Sequence, residues 1–512
     1  MKYLFYFYSD FNPVFLGVLL DEAIELTKNP ENDVLFAYCG GTCEMCHFNR
    51  KGSKPLCGFC SYTTRKVIED HKVKSVSLSK YVADRQYTVP EYENAGVLRS
   101  LKYHDVSIGL AVMSSYISLW RNMNPKLTPE SRRFFDAHLI QTMRLSDTLY
   151  NIIEDYKPDV VYSFNGRYEE VRPVYDICKS IKIKFLLGEA FSEGGKVWKK
   201  VFFEDHLPHD IKYWCKRRDY SWEHYNLSEE EKNELGKSFY ENRRNGIYAG
   251  DKIYTTNMVK GKIPNLDESK INIGIINSSE DEYAAVGEDW DLLKFFPTQY
   301  DGIIYMLEHA PSNVHFYLRI HPNLTKIPYK FHTDLLKLEE KYNNITVIPG
   351  DSEISTYDLM DHMNKIVGFG STMGIESVYW GKPVINLGPA LYSYDDICYE
   401  PKDMADFERL LVSDLKPKYN DSVIKYGAFS MDQSPVFIPD KNIDYQTTRK
   451  KLFGISYSKN PYISFLINAN VTSLFIAIGR FIFGSSIFNK YIIPLEEDTE
   501  EWIKKAVPLL RE

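Results

Sequence analysis

The stretch Gly368-Phe369-Gly370-Ser371-Thr372-Met373-Gly374-Ile375-Glu376-Ser377 decides how this chain is read. It follows an apolar run at 365–369 that predicts a buried strand, and it opens into a helical pattern at 374–380. Glycines at such a turn let the backbone approach a ligand closely. Ser371 and Thr372 supply hydroxyls and helix-cap candidates, and the helix start favours an anion such as a phosphate. Glu376 falls about one turn into the helix. A carboxylate there suits ribose or sugar hydroxyls. A plain strand-to-helix turn with a capping serine is the simpler reading of the same residues.

Working outward, strand and helix patterns alternate on both sides. In the second half strands are expected at 252–255, 271–276, 314–320, 345–348, 365–369 and 383–387. Helices fit 295–309, 331–342, 357–363 and 374–380. In the first half strands are expected at 3–8, 33–38, 159–164 and 181–187, with helices at 14–26 and 131–156. A charged helical stretch at 228–245 separates the two series. Alternation of this kind predicts α/β architecture, with parallel sheets covered by helices. A chain of 512 residues has room for two such domains. The expected division is 1–250, 251–445 and a C-terminal helical segment at 446–512. In open parallel sheets ligands sit beyond the carboxyl ends of the strands, so those loops hold the candidate chemistry.

Leu318-Arg319-Ile320-His321-Pro322-Asn323 ends one of the second-half strands. Pro322 stops further pairing. His321 there can donate to a nucleotide phosphate and offset charge on a leaving group, and Arg319 joins it as a donor-binding candidate. Asn277-Ser278-Ser279-Glu280-Asp281-Glu282-Tyr283 follows the 271–276 strand and offers hydroxyls and carboxylates at a strand end. A solvated acidic turn is the alternative.

Together these residues carry a resemblance. Arg319-Ile320-His321-Pro322, then Gly370-Ser371-Thr372 with Glu376, then Gly381-Lys382-Pro383-Val384, resemble the donor domain of two-Rossmann (GT-B) glycosyltransferases. They are most similar to bacterial capsule and surface-polysaccharide biosynthesis enzymes. The His-Pro and Ser-Thr elements are also similar to those of sialyl-, polysialyl- and Kdo transferases and of glycerophosphate transferases. Ser278 and Ser279 fall in a segment similar to a donor-domain loop of the capsule-type enzymes. The resemblance implies two Rossmann-like domains facing a cleft. It implies that His321, Ser371 and Thr372 contact the phosphate of a nucleotide-linked donor, CMP-linked by preference. It also implies that no catalytic metal is needed, since basic groups and helix dipoles can stabilise the leaving group.

In the first half, Phe164-Asn165-Gly166-Arg167 follows the 159–164 strand. The Asn-Gly turn is expected to expose Arg167 for a phosphate or carboxylate. Asn165 and Arg167 are the acceptor-side candidates, and the same element occurs in the capsule-type enzymes. Glu189 and Glu193 close the next strand, and Asp10 follows the first. Each is a candidate general base for an acceptor hydroxyl, with a surface carboxylate as the alternative.

Cys39, Cys43, Cys46, Cys57 and Cys60 cluster within 39–60. The last four read C-x2-C-x10-C-x2-C, a spacing that suits a structural zinc held by four thiolates. Cys39 and His47 are spare ligands. An iron–sulfur cluster and unmetallated thiols are the alternatives. The N-terminal apolar run is short, with no small-residue cleavage site, so a cytoplasmic protein with reduced cysteines is expected.

The net charge of −8 gives no basic field for nucleic acid. Residues 460–479 carry no charge, and Arg449, Lys450, Lys451 and Arg480 flank them. Ser464, Asn468, Asn470, Thr472 and Ser473 interrupt the run. A packed helix, a helix lying on the inner membrane surface and a span are the readings open to it.

Three functions follow. The first is sugar transfer from a nucleotide donor to a cell-surface polysaccharide or lipid-linked glycan. The second is a CDP-glycerol-type glycerophosphate transfer. The third is a non-catalytic, zinc-stabilised binding or scaffold protein.

Overall fold

The computed structural model describes residues 1–9, 13–46, 49, 52, 54–193, 197–250, 253–254, 258–325, 330–436, 451–452 and 455–456. These residues belong to two compact units. The first comprises Met1–Trp120 and Asn124–Pro208, with the short antiparallel pair Lys451–Leu452 and Ile455–Ser456. The second comprises Arg121–Met123 and His209–Pro439.

The first unit runs β1 (Lys2–Phe7), α1 (Pro13–Thr27), β2 (Asp33–Tyr38), α2 (Lys54–Asp70), β3 (Ser75–Ser77), α3 (Ala95–Ser100), α4 (Ile108–Trp120), α5 (Pro129–Tyr156), β4 (Val160–Phe164), α6 (Arg172–Ile181), β5 (Lys184–Glu193) and β6 (Val197–Glu204). Its sheet has the order β3-β2-β1-β4-β5-β6. All pairings are parallel except β5 with β6, where Gly188 faces Phe202. Leu4–Phe7 and all of β4 are buried, as strands covered on both faces must be.

The second unit runs α7 (Ile211–His224), α8 (Glu229–Arg244), β7 (Ile271–Ile276), α9 (Asp289–Leu292), α10 (Gln299–His309), β8 (Val314–Arg319), α11 (Lys330–Leu336), β9 (Ile345–Ile348), α12 (Thr356–Asp361), β10 (Lys365–Gly368), α13 (Thr372–Tyr379), β11 (Val384–Asn386), α14 (Met404–Val412) and α15 (Asp421–Met431). The sheet order is β11-β10-β7-β8-β9, wholly parallel. Alternate residues serve opposite faces. Ile273, Ile275, Phe316 and Leu318 pack with Ile303, Met306 and Phe407. Ile276, Tyr317, Ile366 and Val384 pack with Phe239, Tyr240, Ile375 and Val423.

Both units are therefore doubly wound α/β folds of the Rossmann type. Two differences from the sequence reading have physical causes, and a third concerns residues 253–254. The junction falls after Pro208 rather than near 250, because Phe239 and Tyr240 on α8 are buried in the second core. Residues 181–183 end a helix instead of starting a strand, since Lys182 takes a left-handed φ of 58° and terminates α6. Residues 253–254 form no strand. The run at 460–479 lies outside the described residues. Among the described residues no helix is long and apolar enough to cross a membrane.

Candidate functional site

In the second sheet β7 and β10 are neighbours, and the winding direction reverses between them. That switch point is where doubly wound sheets open a crevice for ligands. Side chains knit the loops that leave it. Ser278 Oγ donates to the carbonyl of Phe369 at 2.9 Å, joining the loop after β7 to the loop after β10. Gln299 on α10 fixes Ser278 from both sides. Its Nε2 donates to Ser278 Oγ at 2.7 Å, and its Oε1 accepts the Ser278 N–H at 3.0 Å. Ser278 thus holds the two loops together.

The loop after β8 joins the same assembly. Asn277 Oδ1 accepts the His321 N–H at 2.7 Å, and Ser279 Oγ lies 3.4 Å from His321 Nδ1. Nδ1 also accepts the Asn323 N–H at 3.1 Å. In the neutral ring the proton therefore sits on Nε2, which makes that nitrogen a donor. The Tyr254 ring stands edge-on to His321, with centroids 5.2 Å apart, and its hydroxyl donates to Asn323 Oδ1. Arg319 is buried, and its guanidinium donates to the carbonyls of Pro349 and Ser352 at 2.8 and 3.2 Å. It braces the turn after β9. Burial lowers its pKa to about 10, with Asp351 opposing the shift, so it stays charged at neutral pH.

Ser371 caps α13, its Oγ accepting the Met373 N–H at 3.3 Å. Thr372 is the first helical residue. Gly370 has φ +79°, and a Cβ there would lie 1.9 Å from the carbonyl oxygen of Pro389. Only glycine allows the chain to turn from β10 into the capped helix. Glu376 departs from the expected ribose contact. It is fully enclosed, accepts from Arg243 Nε at 3.0 Å, and also accepts a short hydrogen bond from the Tyr357 hydroxyl. It anchors α13 to α8 and α12.

In the first unit the corresponding reversal lies between β1 and β4. Asn165 and Gly166 take φ of +56° and +76°, forming the expected turn. Arg167 is not exposed by it. The residue is buried, donates from Nε to Ser114 Oγ at 2.6 Å, and stacks against Tyr168 with 5.4 Å to the ring centroid. Asn165 Nδ2 donates to Glu189 Oε1 through a short hydrogen bond. Burial pushes the Glu189 carboxyl up to about 7, although Asn165, the Ala190 N–H and Arg167 all pull it down. A group with that value is suited to accept a proton near neutrality. Elsewhere in the first unit His138 Nδ1 lies 2.7 Å from Glu169 Oε1, both buried. The sequence reading passed over this pair, although Glu169 and Glu170 directly follow the Asn-Gly-Arg-Tyr element. Asp10 and the side chain of Glu193 lie outside the described residues.

Cys39, Cys43, Cys46, Cys57 and Cys60 line one cavity with Tyr8 and Ser9. Among the described residues no three His, Cys, Asp or Glu side chains are gathered at metal-binding geometry.

The family comparison falls on the second unit. Residues 298–409 match the family described as capsule polysaccharide biosynthesis protein. The matched segment contains His321, Gly370, Ser371 and Glu376. No curated protein matches the chain. Among solved structures, the KpsC beta Kdo 2,4 transferase of Thermosulfurimonas dismutans is similar at 12% identity. It covers 53% of this chain and 79% of that one, with a TM-score of 0.32. A glycosyltransferase from Rickettsia africae aligns at 12% identity over 88% and 99%, with a TM-score of 0.24. The UDP-GlcNAc 2-epimerase of Neisseria meningitidis, bound to UDP-GlcNAc, aligns at 13% over 92% and 99%, with a TM-score of 0.22. The two-unit, doubly wound fold rests on this chain's own sheets.

Proposed function

We propose that the protein is a glycosyltransferase of capsule or surface-polysaccharide synthesis, taking its sugar from a nucleotide-activated donor. The observation that carries this reading is the knitting of three strand-end loops at the β7/β10 switch point. Ser278 and Asn277 bring the Nε2–H of His321 and the capped start of α13 onto one edge of the sheet. Such a pairing of an imidazole N–H donor with a helix N-terminus suits a phosphate whose charge grows as the sugar leaves. The family match over the same segment supports it. Glu189 is the base we favour for the acceptor hydroxyl, with Asn165 orienting it.

The finer assignments are proposals on narrower ground. A CMP-linked donor rests on the likeness of the His-Pro and Ser-Thr elements to sialyl- and Kdo transferases. A thermal-shift series with CMP, CDP, UDP, GDP and dTDP tests it, since a bound nucleotide stabilises by mass action. A shift with CMP or CDP alone supports the assignment, and a shift confined to another base overturns it. No shift with any of them favours the scaffold reading. CDP-glycerol consumed in place of nucleotide sugars would move the protein to glycerophosphate transfer. A polysaccharide or lipid-linked acceptor at the inner membrane surface is supported by the basic residues flanking 460–479. Liposome flotation of the full chain against one ending at Asp444 tests that part, and equal absence of flotation sinks it.

A further inference from the structure

The loop after β2 and the start of α2 place two cysteine pairs around one cavity at the carboxyl ends of β1 and β2. The first pair lies in the loop after β2. Cys46 and Asn49 form an isolated antiparallel bridge, with N–H to carbonyl distances of 3.3 and 2.9 Å in the two directions. Cys43 lies three residues ahead of this bridge. The second pair, Cys57 and Cys60, is three residues apart near the start of the 17-residue helix α2, so the two thiols share a helix face. The pairs already touch: Cys57 Sγ lies 3.9 Å from the carbonyl of Cys43. The fifth cysteine, Cys39, directly follows β2 and has a different task. It accepts the Cys43 N–H on its sulfur at 3.4 Å.

We propose that Cys43, Cys46, Cys57 and Cys60 bind one structural zinc ion, with Cys39 beside the site as a hydrogen-bond acceptor and outside the ligand set. One C-x2-C in the loop after β2 and one in the first turns of α2 supply two thiolates each, which suits a single tetrahedral ion. Closing the four sulfurs to about 2.3 Å from the metal draws α2 onto the loop. Cys60 Sγ lies 3.1 Å from Ser9 Oγ, so the ion also fixes the chain leaving β1. The metal's work is to hold the strand-end loops of the first unit in place.

Elemental analysis of the full chain, prepared without chelator, tests this independently of any donor binding. The expected result is one zinc per chain. Cobalt exchanged into the site should give thiolate-to-cobalt charge-transfer and tetrahedral d–d absorption. That readout needs no variant and so avoids any loss of folding. Cys39→Ser should retain full zinc, whereas Cys43→Ser with Cys57→Ser should lose it. Metal-free protein, or iron with sulfide and visible absorbance, overturns the zinc assignment. Zinc lost in Cys39→Ser, or kept in the double variant, overturns the ligand set.

Discussion

His321 Nδ1 accepts the backbone N–H of Asn323 at 3.1 Å, and this one bond fixes which nitrogen of the ring can donate. With Nδ1 occupied as an acceptor, the neutral ring carries its proton on Nε2, the group the proposed function directs at the donor phosphate. His321→Ala should lower kcat on the order of 10²–10³-fold, the loss expected when one preorganised donor to developing charge is removed. Stability should fall by only about 1 kcal/mol, for the lost Asn323 bond. Steady-state kinetics beside a thermal melt separates the two effects. Wild-type kcat in the variant would remove His321 from the chemistry.

Gly370→Ala should damage the same site by geometry alone. The new Cβ would meet the Pro389 carbonyl oxygen at 1.9 Å, on a backbone with φ +79°. Relief requires moving β10 or the strand-end turn at Pro389, and a left-handed alanine adds about 1 kcal/mol or more. The expected result is a lowered melting temperature together with weakened nucleotide binding in titration. Unchanged binding would show that the α13 start does not hold the donor.

Much of this architecture was legible because buried parallel strands are written as unbroken apolar runs. The ranges 33–38, 271–276 and 345–348 were read with the bounds the strands have. The three-residue edge strand β3, Ser-Val-Ser, carries no such run, and all three residues are only half-buried. Helix α4 escaped because most of its residues are buried, from Ile108 through Ile117, so it shows no amphipathic period. At the site, motif spacing located His321, Ser371 and Gly370 but could not reveal enclosure. Arg167 and Glu376 were read as ligand-facing because their buried partners lie far away in sequence, Ser114 and Arg243 respectively. Long-range pairing of this kind leaves no local signal.

The raised carboxyl of Glu189 predicts two opposite pH effects. Its ordinary value is 4.5 and its folded value about 7, so the unfolded chain gives up the proton first. The stability it lends is full below about 4.5, declines between 4.5 and 7, and is absent above 7. Glu280, which is buried and raised to about 7, adds a similar decline. Glu189→Gln should therefore melt higher than the wild type above pH 7 and about equally below pH 4.5. If Glu189 is the base, kcat/KM of the wild type rises to a plateau above about 7. The glutamine variant should be slow and lack that rise. Asn165→Ala should move the rise to higher pH, because the Asn165 amide favours the ionised carboxylate. A pH–rate profile that survives Glu189→Gln would assign the base elsewhere.

Glu376 tests whether a motif carboxylate works on the ligand or on the fold. Its oxygens meet Arg243 Nε at 3.0 Å and the Tyr357 hydroxyl, and none of its surface is exposed. Arg243 is itself buried. Removing one member of such a pair leaves an uncompensated charge in the interior, which costs about 3–5 kcal/mol. Glu376→Gln should thus lower the melting temperature sharply while the folded fraction keeps its donor KM. Replacing both partners by apolar residues, Arg243→Met with Glu376→Leu, should recover much of the loss, since the stranded charge goes with its partner. The pattern separates the two roles cleanly. A ribose-binding carboxylate would raise donor KM in the single variant with little change in melting, and the paired replacement could not restore it.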